Sequence, residues 1–387
     1  MISIRNEVIT IYFKAFYAIY YMYVAAISYL NIYLNGIGIS ATQIGMMTSV
    51  SRAIIIFVLP VWGILADYFG ANKKVLQIAI IGALAFLLSF LSTEVFLIIF
   101  ILYLFYMVFQ GPIVSLTDAL LLNNLKEKAN IYGKYRVWGS IGFMLVVTPF
   151  GYIIENTQAR YMFIIAAAVL LLAFLNVFKL PEAERSIKVT TLTDFKLLLK
   201  NKELFYFLIF TFFIEAPLMA NFAFFPILFK NQGGGETLFG VAMLLAAGSE
   251  LIIFQKSDIF FERFKLKKIF LISSIAFAVR WFLIAAFPVP VVLLSTQLLH
   301  SLTFALFHVT AVNYISRIVG EEFRATGQNL YASTISISTV FSTFLGGIIY
   351  DNFGSSTLYM LGSIISLLAG LAYYYKLNKD TSKPALS

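Results

Sequence analysis

The sequence specifies an all-α integral membrane protein: twelve transmembrane helices arranged as two six-helix pseudo-repeats. Three observations carry that expectation. Hydrophobic residues make up 60% of the chain and charged ones 12%, about half the charged share of a soluble domain. Mean hydropathy is +0.88. Apolar runs of spanning length recur along the whole chain, and Lys and Arg gather in the loops on one side of them.

In order, spans are expected near 8–34, 43–66, 75–93, 96–124, 132–154, 160–179, 204–229, 237–256, 268–287, 289–316, 326–349 and 355–376. The first follows Met1–Glu7 directly. It is too long for the apolar core of a cleaved signal and has no small-residue cleavage site. The longest stretch between spans, 180–203, is charged and proline-led. The expected organisation is therefore an N-terminal half over 1–179, a cytoplasmic linker over 180–203, and a C-terminal half over 204–387 with a short cytoplasmic tail.

With both termini in the cytoplasm, only Arg160 and Lys230 among the loop bases fall outside, which is the positive-inside pattern. The net charge of +9 is thus topological, and no nucleic acid is expected. The absence of cysteine excludes disulfides and thiolate chemistry. Two histidines and scattered carboxylates speak against a metal centre, and no cofactor is expected. Neither an HExxH nor a Walker A loop is present, against an intramembrane enzyme and against an ATP-driven pump.

The chain is organised around DALLLNNLKEKANIYGKYRVWGSIGF, from Asp118 to Phe143. Two apolar segments meet there at a polar turn, Asn124–Asn130. Asp118 precedes the turn and Arg136 follows it, each about 10 Å up its helix. An antiparallel helix pair puts this acid and base at one depth. Ionisable groups in a membrane are costly and point to function. The others within spans are Lys14, Arg52, Glu215, Glu250 and Arg280, with His300 and His308. They come from both halves, as a site at a repeat interface requires. Asp118, Arg136 and Arg52 are the expected solute contacts, with Tyr17, Tyr21 and Phe143 as ring walls. Glu250, beside Arg280 or His300, is the expected proton carrier. Glu215 either carries a proton or accompanies a kink at Pro217, and His308 reads as packing.

The halves repeat at an offset of about 195 residues. GILADYFGANKKV (63–75) falls opposite FFERFKLKKI (260–269), and Gly151-xxx-Glu155 falls opposite Gly347-xxx-Asp351. A same-sense repeat implies a pseudo-two-fold axis along the membrane normal.

GILADYFGANKK resembles the signature loop of the major facilitator superfamily. Gly63, Leu65, Asp67 and Gly70 match it; Tyr68 stands where a base is usual, and the basic pair is displaced to Lys73-Lys74. The resemblance implies gating by Gly63, Asp67, Gly70 and Lys74, with the carboxylate closing the cytoplasmic side near a helix N-terminus. Within the superfamily the chain is similar to the lactose-permease type and the phenylpropionate-permease-like group. SLTDALL and GKYRVWGSIGF match the fourth and fifth helices that carry the acid–arginine substrate pair. AAGSELIIF, AFAVRWF and QLLHSLTFALFH place Glu250, Arg280 and His300 at the proton-linked positions of helices eight, nine and ten. Three positions depart from that type: Thr303 replaces its proton-carrying carboxylate, Gln297 a lysine, and Phe143 the tryptophan that stacks on galactose.

The resemblance implies a monomeric secondary active transporter of the plasma or inner membrane, working by alternating access. Its partners would be the bilayer, protons and a small-molecule substrate. Proton-coupled symport of a small polar organic solute, a sugar or glycoside first, is the leading expectation. Basic groups outnumber acidic ones within the spans, which leaves room for an aromatic carboxylate. Nucleoside uptake, and efflux of a lipophilic compound by proton antiport, are compatible with the same pattern.

Overall fold

The computed structural model describes residues 2–69, 72–125, 131–182, 198, 200–320 and 323–381. All regular structure among them is helical. In hydrocarbon each backbone N–H and C=O needs a partner within its own segment, and a helix provides one.

The first span is α1 (Ile2–Ile27) continued by α2 (Leu30–Gly36). Then come α3 (Ala41–Phe69), α4 (Asn72–Ser89), α5 (Phe96–Gln110) with α6 (Ile113–Leu125) as one span broken at Gly111-Pro112, α7 (Gly133–Glu155) and α8 (Tyr161–Val177). The second half holds α9 (Lys202–Asn231), α10 (Glu236–Arg263) and α11 (Leu266–Ala286). Its next span is composite: α12 (Pro290–Ser295), a 3₁₀ turn at Thr296–Leu299, a π turn at Ser301–Ala305 and α13 (Leu306–Ile318). The last two are α14 (Arg324–Phe353) and α15 (Ser355–Thr381). Among the described residues, eleven segments are long and apolar enough to cross a membrane. The twelfth, α8, is apolar and has 17 residues, the lower end of the spanning range. The chain therefore has the all-α, twelve-span plan. The turn at 126–130, Gly70, the side chain of Asp67 and most of the linker lie outside the described residues.

The chain forms two compact units. Unit 1 comprises Met1–Ile39, Val50–Lys188 and Gly235–Val241; unit 2 comprises Ser40–Ser49, Val189–Gly234 and Ala242–Ser387. In unit 1, α1 packs against α7 and α8, and α4 against α5 and α8. Tyr20 stacks on Phe16 with ring centroids 6.0 Å apart and accepts a hydrogen bond from Gln110 Nε2 at 3.0 Å. In unit 2, α9 packs against α14 and α15, and α11 against α15. Phe210 and Tyr373 stack there at 4.3 Å, 5° from parallel.

This division differs from a single cut at 180–203, because the opening turns of α3 and α10 are exchanged. The reason is local chemistry. Near the end of α14, Asp351 accepts from the backbone N–H of Ala41 at 3.1 Å and of Thr42 at 2.7 Å. At the end of α7, Glu155 accepts from the N–H of Thr237 at 2.9 Å. Both acids meet helix N-termini, where unpaired donors and the helix dipole favour an anion. The glycine four residues earlier permits the approach. A Cβ on Gly347 would lie 2.6 Å from the Ala41 carbonyl oxygen, and one on Gly151 would fall on the Glu236 carbonyl. The Gly-xxx-acid repeat of the sequence is thus one docking device used twice. Asp351→Ala removes the cap at α3, and a loss of about 1 kcal/mol is expected. Thermal unfolding in detergent checks this; an unchanged midpoint would show the cap to be energetically idle.

Candidate functional site

In unit 1, Tyr17 and Tyr21 stand one turn apart on α1 and so share a face. Asp118 comes from α6, Tyr132 immediately precedes α7, and Arg136 lies in its first turn. Tyr17 donates its hydroxyl to Asp118 Oδ1 at 2.5 Å, and Tyr132 is also hydrogen-bonded to Asp118. Arg136 Nη1 donates to the Tyr21 hydroxyl at 2.5 Å. Its guanidinium lies 5.5 Å from the Tyr17 ring centroid and 5.0 Å from that of Tyr21, within cation–π range. Gly139, a turn below Arg136, makes room for the Tyr21 ring; a Cβ there would lie 2.8 Å from it.

Asp118 and Arg136 are therefore close, yet their described hydrogen bonds run to tyrosine hydroxyls rather than to each other. Most N–H donors of Arg136 are not engaged by protein acceptors among the described residues. Arg52 is exposed on α3 and Phe143 half-buried on α7, and the described hydrogen bonds of the cluster include neither. Lys14 sits 5.9 Å from the rings of both Tyr135 and Trp138. Of the gating candidates, Gly63 is half-buried within α3 and Lys74 exposed on α4. Its neighbour Lys73 donates to the Phe178 carbonyl at 2.7 Å.

In unit 2, Arg280 is 1% exposed and works as a hub. Its Nη1 is 2.7 Å from His300 Nδ1 and donates to Thr303 Oγ1 at 3.1 Å; Nη2 donates to Gln297 Oε1 at 2.8 Å. On the far side of the imidazole, His300 Nε2 is 2.9 Å from Glu250 Oε1. A guanidinium can only donate, so Nδ1 must be the acceptor. The remaining proton of His300 is then on Nε2 and points at Glu250, the tautomer being set by the partners. An imidazolium could not keep the bond to Arg280. The 3₁₀ and π turns around His300 twist Gln297, His300 and Thr303 towards Arg280, and such irregular turns are common at functional sites.

The remaining candidate, Glu215, is 1% exposed on α9 and hydrogen-bonded to Tyr331 of α14. The Tyr331 hydroxyl also lies 3.2 Å from His308 Nδ1, so His308, which reads as packing in the sequence, has a polar partner.

Sequence reasoning missed Tyr132 and Tyr331. Tyr132 stands one turn before Arg136, a usable signal; Tyr331, 116 residues from Glu215, offers none. Gln297 and Thr303, which read as losses against the lactose-permease pattern, are acceptors for Arg280. Among the described residues no group of three or more His, Cys, Asp or Glu could hold a metal ion.

Twelve spans with a polar cluster in each unit are the plan of a multi-pass membrane protein, and the relatives of the chain are transporters of small molecules. The chain belongs to the MFS_1 like family, which it matches over residues 10–361, and it is a major facilitator transporter. It is 27% identical over 341 residues to the uncharacterized transporter YwbF of Bacillus subtilis, covering 87% of this chain and 85% of that protein. It is 26% identical over 365 residues to the maltose permease of Geobacillus stearothermophilus, covering 94% and 93%. The solved nucleoside transporter NupG superposes with a TM-score of 0.83 at 19% identity, covering 96% of this chain and 99% of that one.

Proposed function

We propose that the chain is a proton-coupled symporter, working by alternating access, for a small hydroxyl-rich solute: a sugar or glycoside, nucleosides included. The observation that carries this reading is the bonding of Asp118 and Arg136 to the hydroxyls of Tyr17 and Tyr21. Solute hydroxyls can replace tyrosine hydroxyls one for one, leaving the charge of the site unchanged. The unused donors of Arg136 then hold further solute oxygens, a guanidinium being suited to paired acceptors, while the two rings offer a surface for the face of a sugar or base. The names of the maltose permease and of NupG point to solutes of this kind.

Proton coupling is assigned to Glu250. Its side chain is 23% exposed, so a proton can reach it, and its negative charge is linked through neutral His300 to the buried positive charge of Arg280. Protonating Glu250 removes the one carboxylate of that cluster and leaves Arg280 uncompensated, which favours rearrangement of the unit.

Uptake into proteoliposomes under an inward proton gradient tests the reading, with maltose, uridine and 3-phenylpropionate offered separately. Maltose or uridine is expected to accumulate as the lumen acidifies, and accumulation should vanish when the gradient is dissipated. Accumulation of 3-phenylpropionate alone would replace the hydroxyl reading by one in which Arg136 pairs an anion. Expulsion of a lipophilic compound in exchange for protons would replace symport by antiport.

A further inference from the structure

The polar chemistry of unit 2 extends beyond Glu250. Glu215 lies in the middle of α9, and its carboxyl is bonded to Tyr331, while Oε2 has no partner. No ion pair reaches Glu215 among the described residues. A carboxylate there would be an unpaired buried charge, far costlier than a hydrogen-bonded acid. A residue that only accompanied Pro217, which lies inside the same helix, would need no partner on another element. This one bonds a tyrosine on another helix.

Tyr331, 3% exposed, has one O–H proton and stands between two acceptors, the Glu215 carboxyl and His308 Nδ1. Two bonding states result. With Glu215 protonated, the acid donates to Tyr331 Oη and Tyr331 donates to a bare Nδ1. With Glu215 ionised, Tyr331 donates to the carboxylate and His308 must present an Nδ1–H. Passage between the states is balanced. The Glu215 proton moves to Tyr331 Oη as the Tyr331 proton moves to His308 Nδ1, giving a carboxylate, an unchanged phenol and an imidazolium. Loss of the Nε2 proton from His308 then completes release.

Other titratable groups lie on the elements of the same unit. The composite span also carries His300, with Phe304 stacked between the two imidazoles at 5.3 and 5.6 Å. α10 brings Glu250, α11 Arg280, and α15 Tyr359 and Tyr373. Burial and Tyr331 are what act on Glu215; on His308 burial acts first and Glu250 after it. The apolar Phe304 ring cannot pass a proton, so the two acids are served by separate imidazoles.

We propose that Glu215, Tyr331 and His308 form a second proton site of this transporter, distinct from Glu250–His300, with the Tyr331 hydroxyl passing the proton between acid and imidazole. The proposal rests on the proton-coupled reading given above.

Infrared titration of the full chain reconstituted in lipid tests it, following the C=O stretch of buried protonated carboxyl groups. Wild type is compared with Glu215→Gln, Tyr331→Phe, His308→Gln and Glu250→Gln. The expected result is a pH-dependent band that is lost in Glu215→Gln and kept in Glu250→Gln. Its midpoint should move by about one pH unit in Tyr331→Phe, because the carboxylate loses more than the acid when the hydroxyl is removed, and in His308→Gln, because an amide cannot take the proton that the imidazole takes. A band indifferent to both of those variants, or no band that depends on Glu215, overturns the second site. A band that depends on Glu250 alone overturns it while leaving proton coupling in place, and the absence of any titrating carboxyl removes both. If Glu215→Gln does not fold, the midpoints in Tyr331→Phe and His308→Gln decide the matter.

Discussion

An Arg136→Ala transporter is expected to bind its solute at least about 100-fold more weakly than wild type, while folding and inserting normally. Hydrogen bonds to a charged group contribute about 1.5–3 kcal/mol each, and a solute bridging two guanidinium nitrogens would lose both. The fold should survive, because the described partner of Arg136 is a half-buried tyrosine hydroxyl rather than a carboxylate. Asp118 loses a nearby positive charge but keeps its bonds to Tyr17 and Tyr132, and these hold the acid in place. Arg136→Lys should recover little, since an ammonium lacks the planar fork. Equilibrium binding of whichever solute the uptake screen selects, with circular dichroism as a control on folding, provides the measurement. Near-normal affinity in the alanine variant would make the cluster structural.

Glu250→Gln should uncouple the transporter without silencing it. The amide oxygen can still accept from His300 Nε2, so the bond recorded at 2.9 Å has a replacement. The side chain can no longer take up or release a proton. Solute exchange between equal concentrations on the two sides should persist, while accumulation driven by a proton gradient should fall by about 10-fold for each pH unit imposed, the drive that one coupled proton supplies. Gradient-driven accumulation that survives in Glu250→Gln would move the proton to another group.

The spans were legible because length and apolarity announce a membrane helix regardless of what surrounds it. Ionisable residues such as Asp118, Arg136, Glu250 and Arg280 were legible for the converse reason, that hydrocarbon tolerates them only for cause. What sequence did not convey is who bonds to whom. Asp118 and Arg136 suggest each other by their spacing, yet both bond tyrosines of α1, more than 100 residues from their partners in the chain. Thr303 and Gln297 look like deletions of charge when side-chain type is read without geometry; the 3₁₀ and π turns that aim them at Arg280 leave no signature in composition. Arg52 stands deep in its helix by position, but a helix apolar on all sides gives no periodic signal for its inner face, and the residue is exposed. Tyr331 is hidden among the 22 tyrosines of the chain.

The two acid caps at the starts of α3 and α10 make each six-span stretch lean on the other for a helix start. Asp351 belongs to the fifth span of the second half and caps the second span of the first; Glu155 belongs to the fifth span of the first half and caps the second span of the second. A half expressed alone would therefore expose one helix start and one carboxylate without the mates they have here, and supplying the two halves together as separate chains would restore both.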